Sequence, residues 1–245
     1  MFEVRYKIVY EDYDEYAGEN GFLQIIVNEF QYGNIWPDEL DDVMETLCLC
    51  DWMERLVRVC TLLESNDYVV ISDVDSYNTW LEFRKMDRSI SVSLVKTHDK
   101  AAGVRDIELK PLDVIAYDWK DQVILYEEFR NELYRKVGEY LRYLKENNAE
   151  MGEFESLMNE FEPLRQFQNK AFGNEILQGL AHKGDELIYL RKCAFHFKDI
   201  GMSEQEMLDN LERLRKKVST EEEEDVILEL MDQIGGCCHS DLRIF

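Results

Sequence analysis

Residues 79–95 read TWLEFRKMDRSISVSLV and carry the clearest secondary-structure pattern in the chain. The second half of this stretch alternates aliphatic side chains with serines, which is the period of two expected of a strand with one buried and one solvated face. The first half is rich in side chains that favour strands, and polar residues separate the two halves at Met86-Asp87-Arg88. The stretch therefore predicts a β-hairpin with arms Thr79–Phe83 and Ser89–Val95.

Further strand patterns flank this hairpin. Phe2–Tyr10 alternates apolar with charged residues, Phe22–Phe30 contains three consecutive β-branched residues, and Tyr68–Ser72 reads as a short buried strand. Ile107–Tyr117 fits either a strand or a loop. The first half of the chain is therefore predicted to contain a mostly antiparallel sheet.

Helical periodicity first occurs after Trp36, where Pro37 and the acids that follow suit a first helical turn. Up to Cys48 the acids share one face of this helix, but beyond Cys48 the apolar residues fall on that same face. We favour a helix that breaks near Cys48–Cys50 or is buried on two sides. The alternative is a continuous helix in which Leu49 and Trp52 extend the acidic face.

The rest of the chain is predicted to be helical. A long helix is expected over Asp118–Asn147, and a helical segment over Glu175–Phe197 is expected to be interrupted at Gly184. Two later helices should begin with capping boxes, in which a hydroxyl and a glutamate three residues on satisfy each other's backbone N–H groups; these pairs are Ser203 with Glu206 and Thr220 with Glu223. The predicted fold class is α+β, with an α+β domain over residues 1–148 and an all-α domain over 149–245.

Composition limits the possible partners. The chain of 245 residues has a net charge of −24, and nucleic acids and anionic membranes are disfavoured as partners because they attract positive charge. The sequence contains no run of apolar residues long enough for a transmembrane helix, and its start lacks the apolar core of a signal peptide. The six cysteines lie mostly in apolar patterns, which indicates reduced thiols. We therefore expect a cytoplasmic protein, and the oligomeric state is left open.

The acids are concentrated near the N-terminus. Between Lys7 and Arg55 the sequence holds 13 acids and no lysine or arginine, whereas surfaces without a binding role usually mix the two signs. Aromatic residues lie among these acids, and carboxylates beside aromatic anchors suit contact with a basic protein. The acids predicted to bind the partner are Asp12, Asp14, Glu15, Glu19, Asp38, Asp41, Asp42 and Glu45. The aromatic residues predicted to join them are Tyr13, Tyr16, Tyr32 and Trp36.

Two groups of residues could instead hold a metal ion. Cys193 and His196, together with Cys237-Cys238-His239, contain enough zinc ligands, although core packing and a helix-end turn explain both segments equally well. Asp73, Asp75 and Glu82 could hold a divalent ion for hydrolysis, although the two aspartates also suit a turn between strands. No nucleophile or phosphate-binding motif is present. We therefore expect neither an enzyme nor a cofactor.

Several segments resemble immunity proteins of bacterial polymorphic-toxin systems, of the contact-dependent growth inhibition type. The resemblance lies in GFLQIIVN at residues 21–28, Tyr32-Gly33, a helix ending near Trp52, and WLEF at residues 80–83 with the alternating arm after it. It covers roughly the first 145 residues, and the tail from Leu211 is similar to those of other small acidic proteins of that kind. The resemblance implies a protein that neutralises a toxin by occluding it, but it carries no binding residues over to this chain.

Charge and resemblance together predict an acidic immunity-type inhibitor of a basic toxin or effector protein. The alternative is an adaptor or structural interaction protein without a toxin partner. A metal-dependent hydrolase that uses Asp73, Asp75 and Glu82 is the third hypothesis.

Overall fold

The computed structural model describes residues 1–9, 18–35, 47–73, 76, 78–98, 107–147, 154–182 and 184–245. It has two antiparallel sheets with helices, followed by helices alone, so the predicted α+β class is confirmed. The chain divides into two compact units, Met1–Leu164 and Arg165–Phe245. The boundary predicted near residues 148–152 falls outside the described residues. Among the residues described, no helix combines the length and apolar character needed to cross a membrane.

The elements follow one another along the chain as two sets. The strands are β1 (Phe2–Ile8), β2 (Asn20–Val27), β3 (Phe30–Gly33), β4 (Leu47–Cys48), β5 (Tyr68–Ser72), β6 (Thr79–Met86), β7 (Ser89–Thr97), β8 (Ile107–Glu108) and β9 (Val114–Leu125). The helices are α1 (Leu49–Leu63), α2 (Tyr126–Glu146), α3 (Glu155–Leu180), α4 (Glu186–Asp199), α5 (Glu204–Arg215) and α6 (Glu221–Ile234), with a 3-10 turn at Ser240–Leu242.

The first sheet has the strand order β1-β2-β3, and β4 pairs with the beginning of β2. The single strand predicted over Phe22–Phe30 is wrong, because the chain reverses after Val27 and Phe30 pairs back onto it. Asn28 lies in this turn at a φ of 56°, a conformation that asparagine tolerates better than most residues. The three β-branched residues favour a continuous strand, and Asn28 alone in this stretch favours a turn, so the sequence pattern did not predict the reversal.

The short pairing of β4 also resolves the two alternatives for the helix near Cys48. Leu47 and Cys48 are extended and pair with β2, and α1 begins at Leu49. The chain therefore breaks from helical geometry at this point, as the change of phase in the apolar pattern indicated. The part of the predicted helix that precedes Leu47 lies outside the described residues.

The second sheet has the order β8-β5-β6-β7-β9. Its centre is the predicted hairpin, with β6 and β7 joined at Asp87-Arg88, and β5 covers Tyr68–Ser72 as expected. The expected solvated face of β7 is wrong, since Ser91 and Ser93 are only 5% and 1% exposed. β7 lies between β6 and β9, and short serines are easily covered by their larger neighbours.

The helix predicted over Asp118–Asn147 begins eight residues later than expected, because residues 118–125 belong to β9. Strand β9 pairs with β7 through several register shifts, and Asp121 has a φ of 53°. These irregularities disturb the alternation of side chains that reveals a strand in sequence. Val123, which helical periodicity predicts on the buried stripe of that helix, lies in β9 and is about half exposed.

Helix α2 carries the main aromatic contact of the first unit. The ring of Phe129 lies 4.8 Å from that of Phe2 in β1 and 5.6 Å from that of Phe83 in β6, so it contacts a strand from each sheet. All three rings are buried. Helix α1 packs against β2 and β5, and the two helices together bury the inner faces of both sheets.

The second unit follows its sequence signals closely. Both predicted capping boxes are formed, Ser203 with Glu206 at the start of α5 and Thr220 with Glu223 at the start of α6. The helical pattern is interrupted around Gly184, which has a φ of 96°. The positive φ is favourable for glycine alone, which explains why the interruption could be read from the sequence.

Candidate functional site

Two of the residues predicted to bind a partner lie in the described part of the chain. These are Glu19 and Tyr32. The remaining ten lie outside the described residues: Asp12, Tyr13, Asp14, Glu15, Tyr16, Trp36, Asp38, Asp41, Asp42 and Glu45.

Glu19 and Tyr32 both lie close to the beginning of α1. The carbonyl oxygen of Glu19 accepts a hydrogen bond of 2.8 Å from the backbone N–H of Leu49, and its carboxylate lies 3.9 Å from the Cys48 thiol. The ring of Tyr32 contacts the ring of Trp52 at a centroid distance of 5.5 Å. The first sheet thus holds these two predicted residues beside the same helix.

The pairing of β4 with β2 connects the two acid-rich segments of the chain. Asn20 pairs with Cys48 and Gly21 with Leu47. The end of the segment that carries Asp12, Asp14 and Glu15 therefore lies beside the end of the segment that carries Asp38 to Glu45. Residues 26 and 28 positions apart in sequence are thus paired at this junction.

The acids that follow this junction pair with the next two bases in the sequence, Arg55 and Arg58. Asp51 lies 3.6 Å from Arg55, and Glu54 lies 4.0 Å from Arg58, one helical turn further on in each case. The Asp51 side chain is nevertheless more than half exposed. The Arg55 side chain is buried, so the exposed Asp51 carboxylate is partly compensated by a neighbouring guanidinium.

The cysteine and histidine candidates for zinc lie in helical and turn surroundings. Burial raises the pKa of the Cys193 thiol to about 12, which disfavours the thiolate that binds zinc. The ring of His196 contacts that of Phe197, and His239 lies 3.5 Å from the carboxylate of Asp241. Among the described side chains, no three from His, Cys, Asp and Glu are grouped to hold an ion.

The acidic triad proposed for a divalent ion is only partly described, since Asp75 lies outside the described residues. Glu82 is 1% exposed and accepts hydrogen bonds from the Tyr68 hydroxyl at 3.0 Å and from Arg84 at 2.9 Å. The guanidinium thus supplies the positive charge that an ion would otherwise provide. Asp73 follows the end of β5, where its backbone N–H donates to Thr79.

The second sheet also has an open cavity of about 620 Å³ that crosses four strands and that no sequence pattern predicted. We call it the sheet groove. It is lined by Asp67, Tyr68, Arg84, Lys85, Met86, Ser91, Pro111, Asp121 and Val123.

The polar contacts at the floor of the sheet groove form a connected set. Tyr68 and Arg84 are paired across β5 and β6, and both bond the same carboxylate oxygen of Glu82. The guanidinium also lies 5.8 Å from the centre of the Tyr68 ring. Burial and the neighbouring carboxylate of Glu82 raise the pKa of the Tyr68 hydroxyl well above its usual range, so the hydroxyl keeps its proton and donates. In the sequence, Glu82 and Arg84 are two positions apart in a predicted strand, which indicates that they share a face. This spacing does not show which residues of the neighbouring strands contact them.

Apolar side chains are exposed in and around the sheet groove. Met86 and Val123 line it and are 50% and 49% exposed, and Tyr117 and Leu125 of β9 are also exposed. Exposed apolar side chains that are clustered rather than scattered mark surfaces of interaction. Comparison of the chain with protein-family models, with curated proteins and with solved structures found no match.

Proposed function

We propose that this chain is a cytoplasmic immunity-type inhibitor, which binds a basic toxin or effector protein through its acid-rich N-terminal segments and occludes it. The observation that carries the proposal is the pairing of β4 with β2, which joins the two segments at one place. The sequence between Lys7 and Arg55, which contains both strands of this pairing, holds thirteen acids and no lysine or arginine. A concentrated negative field of this kind attracts a cationic partner and raises its rate of association.

Two thiols of α1 lie in environments that disfavour the reactive thiolate. Burial raises the pKa of Cys50 to about 12 and that of Cys60 to about 11. A nucleophile or acid–base catalyst needs a pKa shifted toward neutrality, and these thiols are shifted away from it. They behave as part of the apolar core.

The proposal is tested by capturing the partner from a native lysate and measuring its affinity for charge-reversed variants. The first variant carries Asp38→Lys, Asp41→Lys, Asp42→Lys and Glu45→Lys. The matched control carries Glu222→Lys, Asp225→Lys, Glu229→Lys and Asp232→Lys on α6, four exposed acids spaced i, i+3, i+7 and i+10 along one face of the helix, with the same change in net charge. Both variants are expected to have a net charge of −16.

We expect the first variant to lose at least about tenfold in affinity, roughly 1.4 kcal/mol, and the control to lose about twofold or less. Equal losses in both variants would show that only net charge matters, which contradicts a defined site. An unchanged affinity of the first variant would contradict the proposed surface directly. If the captured protein does not harm cells when it is expressed without this chain, the adaptor hypothesis replaces that of an immunity protein.

A further inference from the structure

We propose that the sheet groove binds an extended basic peptide segment of about four residues, with a lysine or arginine near each end. The proposal rests on the proposed function for the source of that segment, which is the basic partner protein. It places a second contact site on the second sheet, apart from the acid-rich segments.

The length of the segment follows from strand pairing. Tyr68 pairs with Arg84, Arg84 with Ser91, and Ser91 with Val123, so one row of side chains crosses β5, β6, β7 and β9. Three inter-strand distances of about 4.8 Å give a groove about 14 Å long. An extended chain advances about 3.4 Å per residue, so about four residues fill it.

The two ends of the sheet groove each carry a carboxylate. Asp67 lies at the β5 end, and no ion pair of its side chain with another described residue is seen. Asp121 lies at the β9 end with an exposed side chain, 3.6 Å from the ammonium of Lys120. The Lys85 ammonium is held at the end of α1, where it donates to the carbonyl oxygens of Leu63 and Glu64. The ends therefore favour cations.

The floor between these ends is close to neutral. Arg84 and Glu82 compensate each other's charge at a separation of 2.9 Å, so a cationic ligand is not repelled from the centre of the groove. One carboxylate oxygen of Glu82 is buried and has no hydrogen-bond partner among the described residues. Arg84 is bonded through a single nitrogen and is 45% exposed, so its other N–H groups can donate to a peptide carbonyl.

The walls of the sheet groove suit the aliphatic part of a basic side chain. Met86 and Val123 are half exposed there, and Pro111 adds a third apolar surface. Lysine and arginine stems pack along apolar surfaces while their charged ends reach a carboxylate. Apolar walls with an acid at each end therefore distinguish a basic segment from one that is only apolar.

The test uses nuclear magnetic resonance with the peptide Ac-Lys-Ala-Ala-Lys-NH2, which requires no natural partner. Its control is the same peptide with norleucine in place of both lysines, which keeps the stems and removes the charges. The protein variant is Asp67→Asn with Asp121→Asn. Its matched control is Asp87→Asn with Asp113→Asn, two exposed aspartates of the same unit that do not line the sheet groove.

We expect the lysine peptide to shift the amide resonances of Arg84, Ser91 and Val123 and to bind at least about tenfold more tightly than the norleucine peptide. The Asp67/Asp121 variant should lose about tenfold, and the Asp87/Asp113 control about twofold or less. Equal binding of both peptides, shifts spread outside the groove, or equal losses in both variants would overturn the proposal. Those outcomes leave the charge-reversal test of the acid-rich segments unaffected, so failure of the groove and failure of the proposed function can be told apart.

Discussion

The contact of Phe129 with both sheets gives a prediction whose size can be worked out. Phe129→Ala removes a fully buried ring that lies 4.8 Å from Phe2 and 5.6 Å from Phe83. Replacement of a buried phenylalanine by alanine costs about 3–5 kcal/mol through lost transfer free energy and the cavity that remains. Because two aromatic pairs at these distances are also lost, each of them worth about 0.5–1.5 kcal/mol, we expect the upper part of that range, about 4–5 kcal/mol.

The tryptophans provide a signal that belongs to the first unit alone. All four of them, Trp36, Trp52, Trp80 and Trp119, lie between Met1 and Leu164. Urea unfolding followed by tryptophan fluorescence therefore reports on the unit that contains Phe129, even if the second unit unfolds separately. With a slope of about 2 kcal/mol per molar urea, the expected loss lowers the midpoint by about 2 M.

Two further substitutions make this measurement decisive. Phe129→Leu keeps most of the buried volume and should cost less than about 2 kcal/mol. Phe30→Ala removes the same atoms from a ring that is 40% exposed, and it should cost about 1 kcal/mol or less. If Phe129→Ala cost no more than Phe30→Ala, Phe129 would not hold the two sheets together and the reasoning would be refuted.

Two other predictions concern the helix caps and the buried thiols. Ser203→Ala and Thr220→Ala should each lower the free energy of unfolding of the second unit by about 1 kcal/mol, measured by far-ultraviolet circular dichroism. Ser219→Ala, beside the second capping box, should change this free energy by less than about 0.5 kcal/mol. Equal effects of all three substitutions would contradict the observed caps. Burial raises the pKa of Cys60 from 9.0 to about 11, so the unfolded chain releases this proton first, and the stabilisation present below pH 9 is lost as the pH rises to about 11. Cys60→Ala should flatten that decline in urea unfolding at pH 8 to 11, and an unchanged decline would contradict the assignment.

Local signals decided which elements could be predicted from the sequence. The hairpin around Asp87 and both capping boxes were found because each is specified by residues within a few positions of one another. The turn at Asn28 and the strand over residues 118–125 were missed for the opposite reason. In both places the pairing partner overrides the local pattern, since β3 folds back on β2 and the bulged β9 pairs with β7.

The candidate site likewise has features that local sequence predicts and features that depend on long-range pairing. The acid-rich segments were visible because charge can be counted along the chain, but their meeting at the junction of β2 and β4 depends on two residue pairs 26 and 28 positions apart in sequence. The sheet groove combines side chains from four strands and the segment at Pro111. Neither the partners of Glu82 nor the exposure of Val123 follows from a periodic pattern, because both depend on which strand lies beside which.

If the proposed function holds, the acid-rich segments and the sheet groove would have distinct parts in binding, because they would act over different distances. The field of the thirteen acids would extend about one Debye length, roughly 8 Å at physiological salt, and would therefore act on a basic partner before contact, mainly through the association rate. The sheet groove offers two carboxylates, half-exposed apolar walls and an anchored guanidinium, all of which need direct contact. Under the proposal, its contribution would lie in the dissociation rate, which is where most differences in affinity between related complexes arise. A partner with only a basic surface would gain in association rate. A partner that also has an exposed basic segment would gain both a faster association and a slower dissociation.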